Sequence, residues 1–321
     1  MSILASEPAL SRAALARLSG LSRTTVSHLV DELLTLNFLT ELDAASEGPG
    51  RPATPLAIDR TSWHALGVEL RTRQWVIVAV NLLGEVSARA EVPLSDVDPP
   101  AAGSELVRGL RAFINRTRLR FLPLVGIGLP GLINADSGAI MRAVDGAWTE
   151  FRSLERRLSL DLGFDSVVIN RHRAAGLAET RFGAGKNTPD LIYLGIGNGI
   201  AGGIFWRGEL VRGASGSSGE FGHVTVLPDG PLCICGNRGC LQTLASGAAM
   251  VSEARKLIQA GRPSRLAERA GGELSGEDVC RAAAEGDAVA LECLARAVQY
   301  LAIAVANLIA EYNPSAVVLG G

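Results

Sequence analysis

Residues 219–223 read Gly-Glu-Phe-Gly-His, and residues 233–240 read Cys-Ile-Cys-Gly-Asn-Arg-Gly-Cys. The second stretch gathers Cys233, Cys235 and Cys240, three of the five cysteines of the chain. His223 lies ten residues upstream of Cys233. One imidazole and three thiolates make a closed tetrahedral donor set, the usual arrangement of a structural Zn2+ site. Gly236 and Gly239 allow the loop to fold back so that the sulfurs converge. An odd number of cysteines without a secretion signal favours metal over disulfide. The competing reading is free thiols on a loop that needs its glycines for turns. With all four positions filled by protein, the metal would not be hydrolytic. Cys280 and Cys293 fall on helical patterns and are expected in the core.

Outward from this stretch, 321 residues correspond to about two domains. A net charge of −2, with 47% hydrophobic and 20% charged residues, excludes a disordered chain. No signal peptide is visible at the start. The apolar stretch between Arg296 and Glu311 is too short to span a bilayer, so a soluble, cytoplasmic protein without membrane partners is expected. Only Lys186 and Lys256 are lysines, which suggests coding bias more than a binding surface.

Strands are predicted at Ala65–Leu70, Trp75–Asn81, Val125–Gly128, Ser166–Ile169 and Leu191–Ile196, with helices at Gly103–Arg118 and Ala174–Phe182. That alternation is α/β. A long helix over Ala288–Tyr312 should stop at Asn313-Pro314. The strand Ala316–Leu319 then runs into Gly320-Gly321, a turn that would normally lead to another helix, so a further segment is expected there.

The first 60 residues have a different character. Ser11 can cap a helix over Ser11–Leu18, Ser19-Gly20-Leu21 forms a turn, and Ser22 can cap a second helix to about Leu36. Val26, Leu29, Val30, Leu33 and Leu34 form one apolar stripe, and Arg23, Thr24, Ser27 and His28 lie opposite. This is a helix-turn-helix pattern, whose second helix would offer Ser22, Arg23, Thr24, Thr25, Ser27 and His28 to DNA. Phe38–Leu42 and Ala57–Asp59 can form a wing with Arg51 at its tip, near a minor groove or phosphate. A hairpin used only for packing or dimerisation is the alternative. Four Arg against seven acids in residues 1–59 favour it, because DNA readers are usually basic. The acids, however, cluster at Asp31-Glu32 and Glu41–Glu47, away from the reading face. The helix that should precede Ser11 looks clipped, with barely a turn before Pro8.

Together the cysteine cluster, the Gly-Glu-Phe-Gly-His stretch and the leading helix-turn-helix resemble the ROK family of repressors, open reading frames and sugar kinases, in particular its xylose and N-acetylglucosamine repressor branch. The resemblance implies a winged helix-turn-helix over 1–60, followed over 61–321 by a two-lobed actin-like ATPase (ribonuclease H-like) domain with a sugar cleft. It also implies a homodimer or homotetramer. In the family, the Glu and His of the G-E-x-G-H stretch contact sugar hydroxyls; here they are Glu220 and His223. A Glu two positions after the last cysteine also holds sugar; here it is Gln242, which bonds a hydroxyl without charge assistance.

The family's E-N-D-A-N stretch, with a sugar-binding Asn and a catalytic Asp, is matched by Ile169-Asn170-Arg171-His172-Arg173. Asn170 is kept, but Arg171 stands where the general base would be, and a guanidinium cannot take a proton at neutral pH. The D-x-G-G-T phosphate loop is matched by Glu69-Leu70-Arg71-Thr72-Arg73, without glycine. The second loop, 197–203, keeps its glycines, a weak signal by itself. No catalytic residue is therefore assigned, and a non-enzymatic regulator is expected, binding operator DNA and a carbohydrate effector near Asn170, Arg171, Glu220, His223 and Gln242. Arg171 and His172 reflect either drift or a pocket retuned for an anion. His28 and His64 read as surface and strand-edge residues. Trp148 matches an aromatic near the family's cleft, or core packing. The rival readings are an ATP-dependent sugar kinase carrying a DNA module, and an effector-independent DNA-binding scaffold.

Overall fold

The structure, a computed structural model, describes residues 1–43, 54–71, 73–95, 99–133, 140–142, 151–270, 272 and 274–321. It divides into two compact units, Met1–Leu129 with Ala147–Val168, and Pro130–Gly146 with Ile169–Gly321. Arg51, Thr72 and Trp148 lie outside the described residues.

The first unit opens with α1 (Ser2–Ser6), α2 (Arg12–Ser19) and α3 (Arg23–Thr35). The Ser11 hydroxyl caps α2 by accepting from the Ala14 N–H, and Ser22 caps α3 by accepting from Thr25. Gly20 ends α2 at φ 69°, the left-handed conformation that glycine reaches without strain. The strands β1 (Leu39–Glu41) and β2 (Leu56–Ile58) pair antiparallel, Thr40 opposite Ala57. Leu4, Leu15, Val26, Val30, Leu39, Leu56 and Ile58 form the core of this module. Leu4 shows that α1 packs as a core element, where the sequence offered barely a turn. Leu29, expected in the apolar stripe, is 45% exposed. The stripe is narrower than its spacing suggests, because Val26 and Val30 already fill the face that meets α2 and β1.

Five strands follow in the order β5-β4-β3-β6-β9: β3 (His64–Arg71), β4 (Gln74–Asn81), β5 (Val86–Pro93), β6 (Phe121–Leu129) and β9 (Asp165–Asn170). The first three form an antiparallel meander, and β6 lies parallel to β3, Val68 opposite Ile127. Between β5 and β6 runs α4 (Pro99–Thr117), which buries Leu106, Leu110 and Phe113. Trp75 is fully buried and donates its indole N–H to the Ala102 carbonyl at 2.9 Å. A methyl on Gly109 would stand 2.6 Å from Val92, so glycine lets α4 lie close on β5. The antiparallel strands β7 (Leu132–Ile133) and β8 (Ile140–Arg142) and the helix α5 (Phe151–Arg157) lie between β6 and β9.

Trp63 joins the helical module to this sheet. Its indole N–H donates to the Leu36 carbonyl at 2.7 Å, its ring stacks on Phe38 at 5.5 Å, and the Arg120 guanidinium lies 3.7 Å from its centroid. Such cation–π contacts contribute about 0.5–1 kcal/mol at exposed sites.

The second unit repeats the pattern. Its sheet runs β12-β11-β10-β13, with β10 (Leu191–Ile196), β11 (Ile200–Trp206) and β12 (Glu209–Leu210) antiparallel and β13 (Ala316–Gly320) parallel to β10. A three-stranded meander with a fourth strand returning parallel to its first thus occurs in both sheets. The helix α6 (Arg171–Phe182) covers one face, where Leu191, Tyr193 and Phe205 are buried. A methyl on Gly176 of α6 would lie 2.8 Å from the Phe205 ring. On the other face Ile192, Leu194, Ile200 and Ile204 pack with α8 (Gly247–Gln259), α10 (Gly276–Ala284) and α11 (Ala288–Tyr312). The short helices α7 (Gln242–Ala245) and α9 (Ala267–Ala270) lie beside α8 in sequence.

The long helix occupies the span predicted for it. It is long and apolar enough to cross a membrane by composition, but Val289, Cys293, Ala297, Ala304 and Leu308 face the core. The structure corrects the reading of 197–203 as a loop, since only 197–199 turn and residues 200–206 are strand. A side chain on Gly202 would strike the Tyr193 carbonyl, so this glycine serves close packing within the sheet.

Candidate functional site

The four donors predicted from the sequence converge. The His223 ring and the Cys233, Cys235 and Cys240 sulfurs all lie within 4.8 Å of one another and could hold a metal ion. Cys233 Sγ is 3.6 Å from His223 Nδ1, and Cys235 Sγ is 3.6 Å from Cys240 Sγ. Local backbone bonds shape the loop: the Cys233 N–H donates to the Asn237 carbonyl at 2.7 Å, and the Gly236 N–H to the Cys233 carbonyl at 2.9 Å. Gly236 and Gly239 take φ of 96° and 65°, and a side chain on Gly239 would run into the Leu227 carbonyl. The glycines are thus required by backbone conformation and close approach together. His223 ends a single 3-10 turn, Phe221–His223, which brings its ring to the cysteine loop.

Cys233 and Cys240 are buried. Burial, then the neighbouring thiols, push the Cys240 thiol up to about 12. Burial also raises Cys233, but hydrogen bonds from the Cys235 backbone and the Gln242 amide outweigh it and leave that thiol below its ordinary value. Of the two remaining cysteines, Cys293 is buried as expected, whereas Cys280 is exposed. On α10 the positions beside it, Val279, Ala282 and Ala283, turn inward instead.

Around the start of α6 lie the residues proposed for an effector. Asn170 is 3% exposed. Its Oδ1 accepts from the N–H groups of His172 and Arg173, capping α6, and its Nδ2 donates to the Gly131 carbonyl at 2.9 Å. Arg171 and His172 flank the glycine turn: a methyl on Gly197 would stand 3.6 Å from Arg171 Nη2 and 3.8 Å from His172 Cε1. A methyl on Gly195 would collide with the His172 ring. Burial, reinforced by the Arg171 charge, pushes His172 down to about 4. Gln242 donates its amide to Cys233 Sγ at 3.3 Å, and its Oε1 would lie 3.6 Å from a methyl on Gly199.

Glu220 meets a partner that the sequence reading missed. Arg173 is 4% exposed. It donates Nη2 to the Glu220 carboxylate at 3.2 Å and Nη1 to the Gly216 carbonyl. Among the described residues its Nε is buried without a hydrogen-bond partner. Burial pushes the Glu220 carboxyl up and the guanidinium of Arg173 down, and their mutual attraction partly offsets both shifts. The available signal was compositional: two arginines and a histidine in three consecutive positions, facing a stretch whose one acid is Glu220.

On α3, Arg23, Thr24, Thr25 and His28 are exposed, and Ser27 is half-buried. Ser22 and Thr25 share a hydroxyl–hydroxyl bond of 2.8 Å in the cap. Arg12 draws Asp31, at 2.7 Å, and Glu41, at 3.7 Å, to itself. His64 is buried at the start of β3, edge-on to Phe121. Glu69 pairs with Arg71 at 3.0 Å in the stretch matched to the phosphate loop.

A family model, described as the ROK family, matches residues 65–321. The chain is 30% identical to the xylose repressor of Caldicellulosiruptor bescii over 97% of its own length and 79% of that protein's. It is 32% identical to a glucokinase of Halalkalibacterium halodurans, covering 81% of this chain and 80% of that one. Among solved structures, a ROK family transcriptional regulator, homologous to the E. coli MLC protein, superposes with a TM-score of 0.84 at 30% identity, over 100% of this chain and 81% of the other.

Proposed function

The chain belongs to the ROK family, and on that premise we propose that it is a sugar-responsive, DNA-binding transcriptional regulator of the cytoplasm. The observation that carries this reading is the capped pair α2 and α3, packed on a small antiparallel sheet ahead of the ROK region. We read residues 1–60 as a winged helix-turn-helix and 61–321 as a sugar-kinase-like effector and oligomerisation domain. Ser22, Arg23, Thr24, Thr25, Ser27 and His28 would meet the major groove and Arg51 the backbone or minor groove. Arg12 supports the assignment by holding Asp31 and Glu41, which lessens the repulsion that acids would exert on phosphate. A homodimer or homotetramer would present two reading helices to a palindromic operator.

His223, Cys233, Cys235 and Cys240 would hold a structural Zn2+, since a Cys3His set suits that ion. Zinc would fix the loop that carries His223. A small carbohydrate or sugar derivative would bind near Asn170, Arg171, Glu220, His223 and Gln242. For such an effector to control DNA, it must have different affinities for two arrangements of the reading helices. Arg171 speaks against phosphoryl transfer, because no carboxylate stands in the base position.

A second reading is favoured by one observation. The polar groups of Asn170 are engaged within the fold, and Glu220 already meets Arg173. A scaffold that binds DNA without an effector is consistent with that. Selection of bound duplexes from a random DNA pool tests the regulator reading: a palindromic consensus is expected, and no enrichment overturns it. The kinase reading is tested by ATP consumption with a panel of hexoses, for which no turnover is expected.

A further inference from the structure

We infer that Gln242 is the positioning residue of the metal loop: its amide N–H holds the Cys233 thiolate, and its other end lies beside the glycine turn at 197–199. This rests on the reading of His223, Cys233, Cys235 and Cys240 as a metal site. The first observation is the bond from Gln242 Nε2 to Cys233 Sγ at 3.3 Å. The second is the crowding of its carbonyl end. A methyl on Gly222 would lie 3.2 Å from Oε1, and one on Gly199 would lie 3.6 Å away. Gly222 directly precedes the ligand His223. One half-buried side chain therefore bonds a ligand sulfur and lies within a methyl's reach of the residue beside the histidine ligand and of the turn that Arg171 and His172 also flank.

The chemistry depends on the amide. Three thiolates around a divalent cation leave the site with excess negative charge. An N–H donor disperses charge on Cys233 and orients its sulfur, as outer hydrogen bonds do for metal ligands generally. A carboxylate of the same length offers no donor at neutral pH and adds a like charge. Loss of the metal would free the Cys233 sulfur and so release one anchor of the side chain lying against Gly199. Metal occupancy thereby reaches the glycine turn through a single residue.

The test uses the full chain and zinc alone. Zn2+ affinity is measured by competition with a chromophoric chelator for the parent, Gln242→Glu and Gln242→Leu. Both variants are expected to bind 10–100-fold more weakly, the glutamate variant the more so. With Co2+ as the probe, the thiolate-to-metal charge-transfer band should shift in both, a signature that a packing defect would not move. Hydrogen exchange across residues 197–203 should rise on chelation in the parent and stand already raised in metal-loaded Gln242→Leu. Gln242→Glu has the same number of heavy atoms and carries the test if the leucine variant does not fold. Affinities within twofold of the parent with an unchanged cobalt spectrum overturn the inference and leave the metal site standing. A parent that takes up no zinc overturns both.

Discussion

Arg173 and Glu220, 47 positions apart in the chain, form an ion pair of 3.2 Å in which the guanidinium side chain is 5% exposed and the carboxylate 22%. Such a pair is costly to break from one side. Glu220→Gln would leave the Arg173 charge buried without a counter-charge, a loss of about 3–5 kcal/mol. Arg173→Met should cost less, because the more accessible carboxyl can take a proton. Chemical unfolding of the zinc-loaded protein checks this, with the double variant less destabilised than the two single variants summed. Additive losses would mean that the pair does not act as a unit.

His172 gives the stability a pH dependence of definite sign. Its folded value is about 4, against 6.5 as the ordinary value. Between those values the unfolded chain binds a proton that the folded chain refuses. Stability is therefore full above about pH 6.5, falls as the pH drops toward 4 and levels off below. The contribution approaches about 3 kcal/mol. His172→Gln should flatten that segment of the profile at constant excess zinc. An unchanged slope in the variant would show that the ring is not held neutral.

Removal of metal should loosen the second unit. A ligand at a thousandfold excess over its Kd stabilises by about 4 kcal/mol, on the order of 10 °C for a body of this size. A strong chelator should lower Tm by that order, and added zinc should restore it. Cys235→Ser should abolish the response, and Cys280→Ser, at an exposed position on α10, should leave it intact.

On the DNA side, Arg23→Ala and His28→Ala remove exposed groups of α3. A lost base contact costs about 1–3 kcal/mol of operator affinity, read by fluorescence anisotropy at fixed salt. Ser22→Ala removes the cap of α3, for about 1 kcal/mol of stability. Wild-type affinity in both Arg23 and His28 variants would turn the hairpin into a packing or dimerisation element.

The sequence made some of this legible and hid the rest for physical reasons. Short apolar runs marked β3 and β4, and a 25-residue apolar helix with a terminal Asn-Pro marked α11. The four residues that could hold a metal were visible because they are near neighbours in the chain and chemically distinctive. The edge strand β5 was not, although Val86, Ala88, Ala90 and Val92 alternate with Ser87, Arg89 and Glu91, because its apolar face is made of small residues and is at most half-buried. Glycines 202 and 203 disguised β11 as a loop, because their spacing does not tell close packing from a turn. The Arg173–Glu220 pair depends on a contact that only the fold makes. The repeated meander in the two sheets left no trace at the level of residues, since each sheet needs only apolar alternation to form.

Control of DNA binding by a carbohydrate is read from the affinity of the zinc-loaded protein for its selected operator across a panel of neutral sugars, sugar phosphates and sugar acids. At least one sugar or sugar derivative should change operator affinity about 5–150-fold, the usual range of coupling between sites. Tight operator binding that no member of the panel alters would contradict it and leave a DNA-binding scaffold.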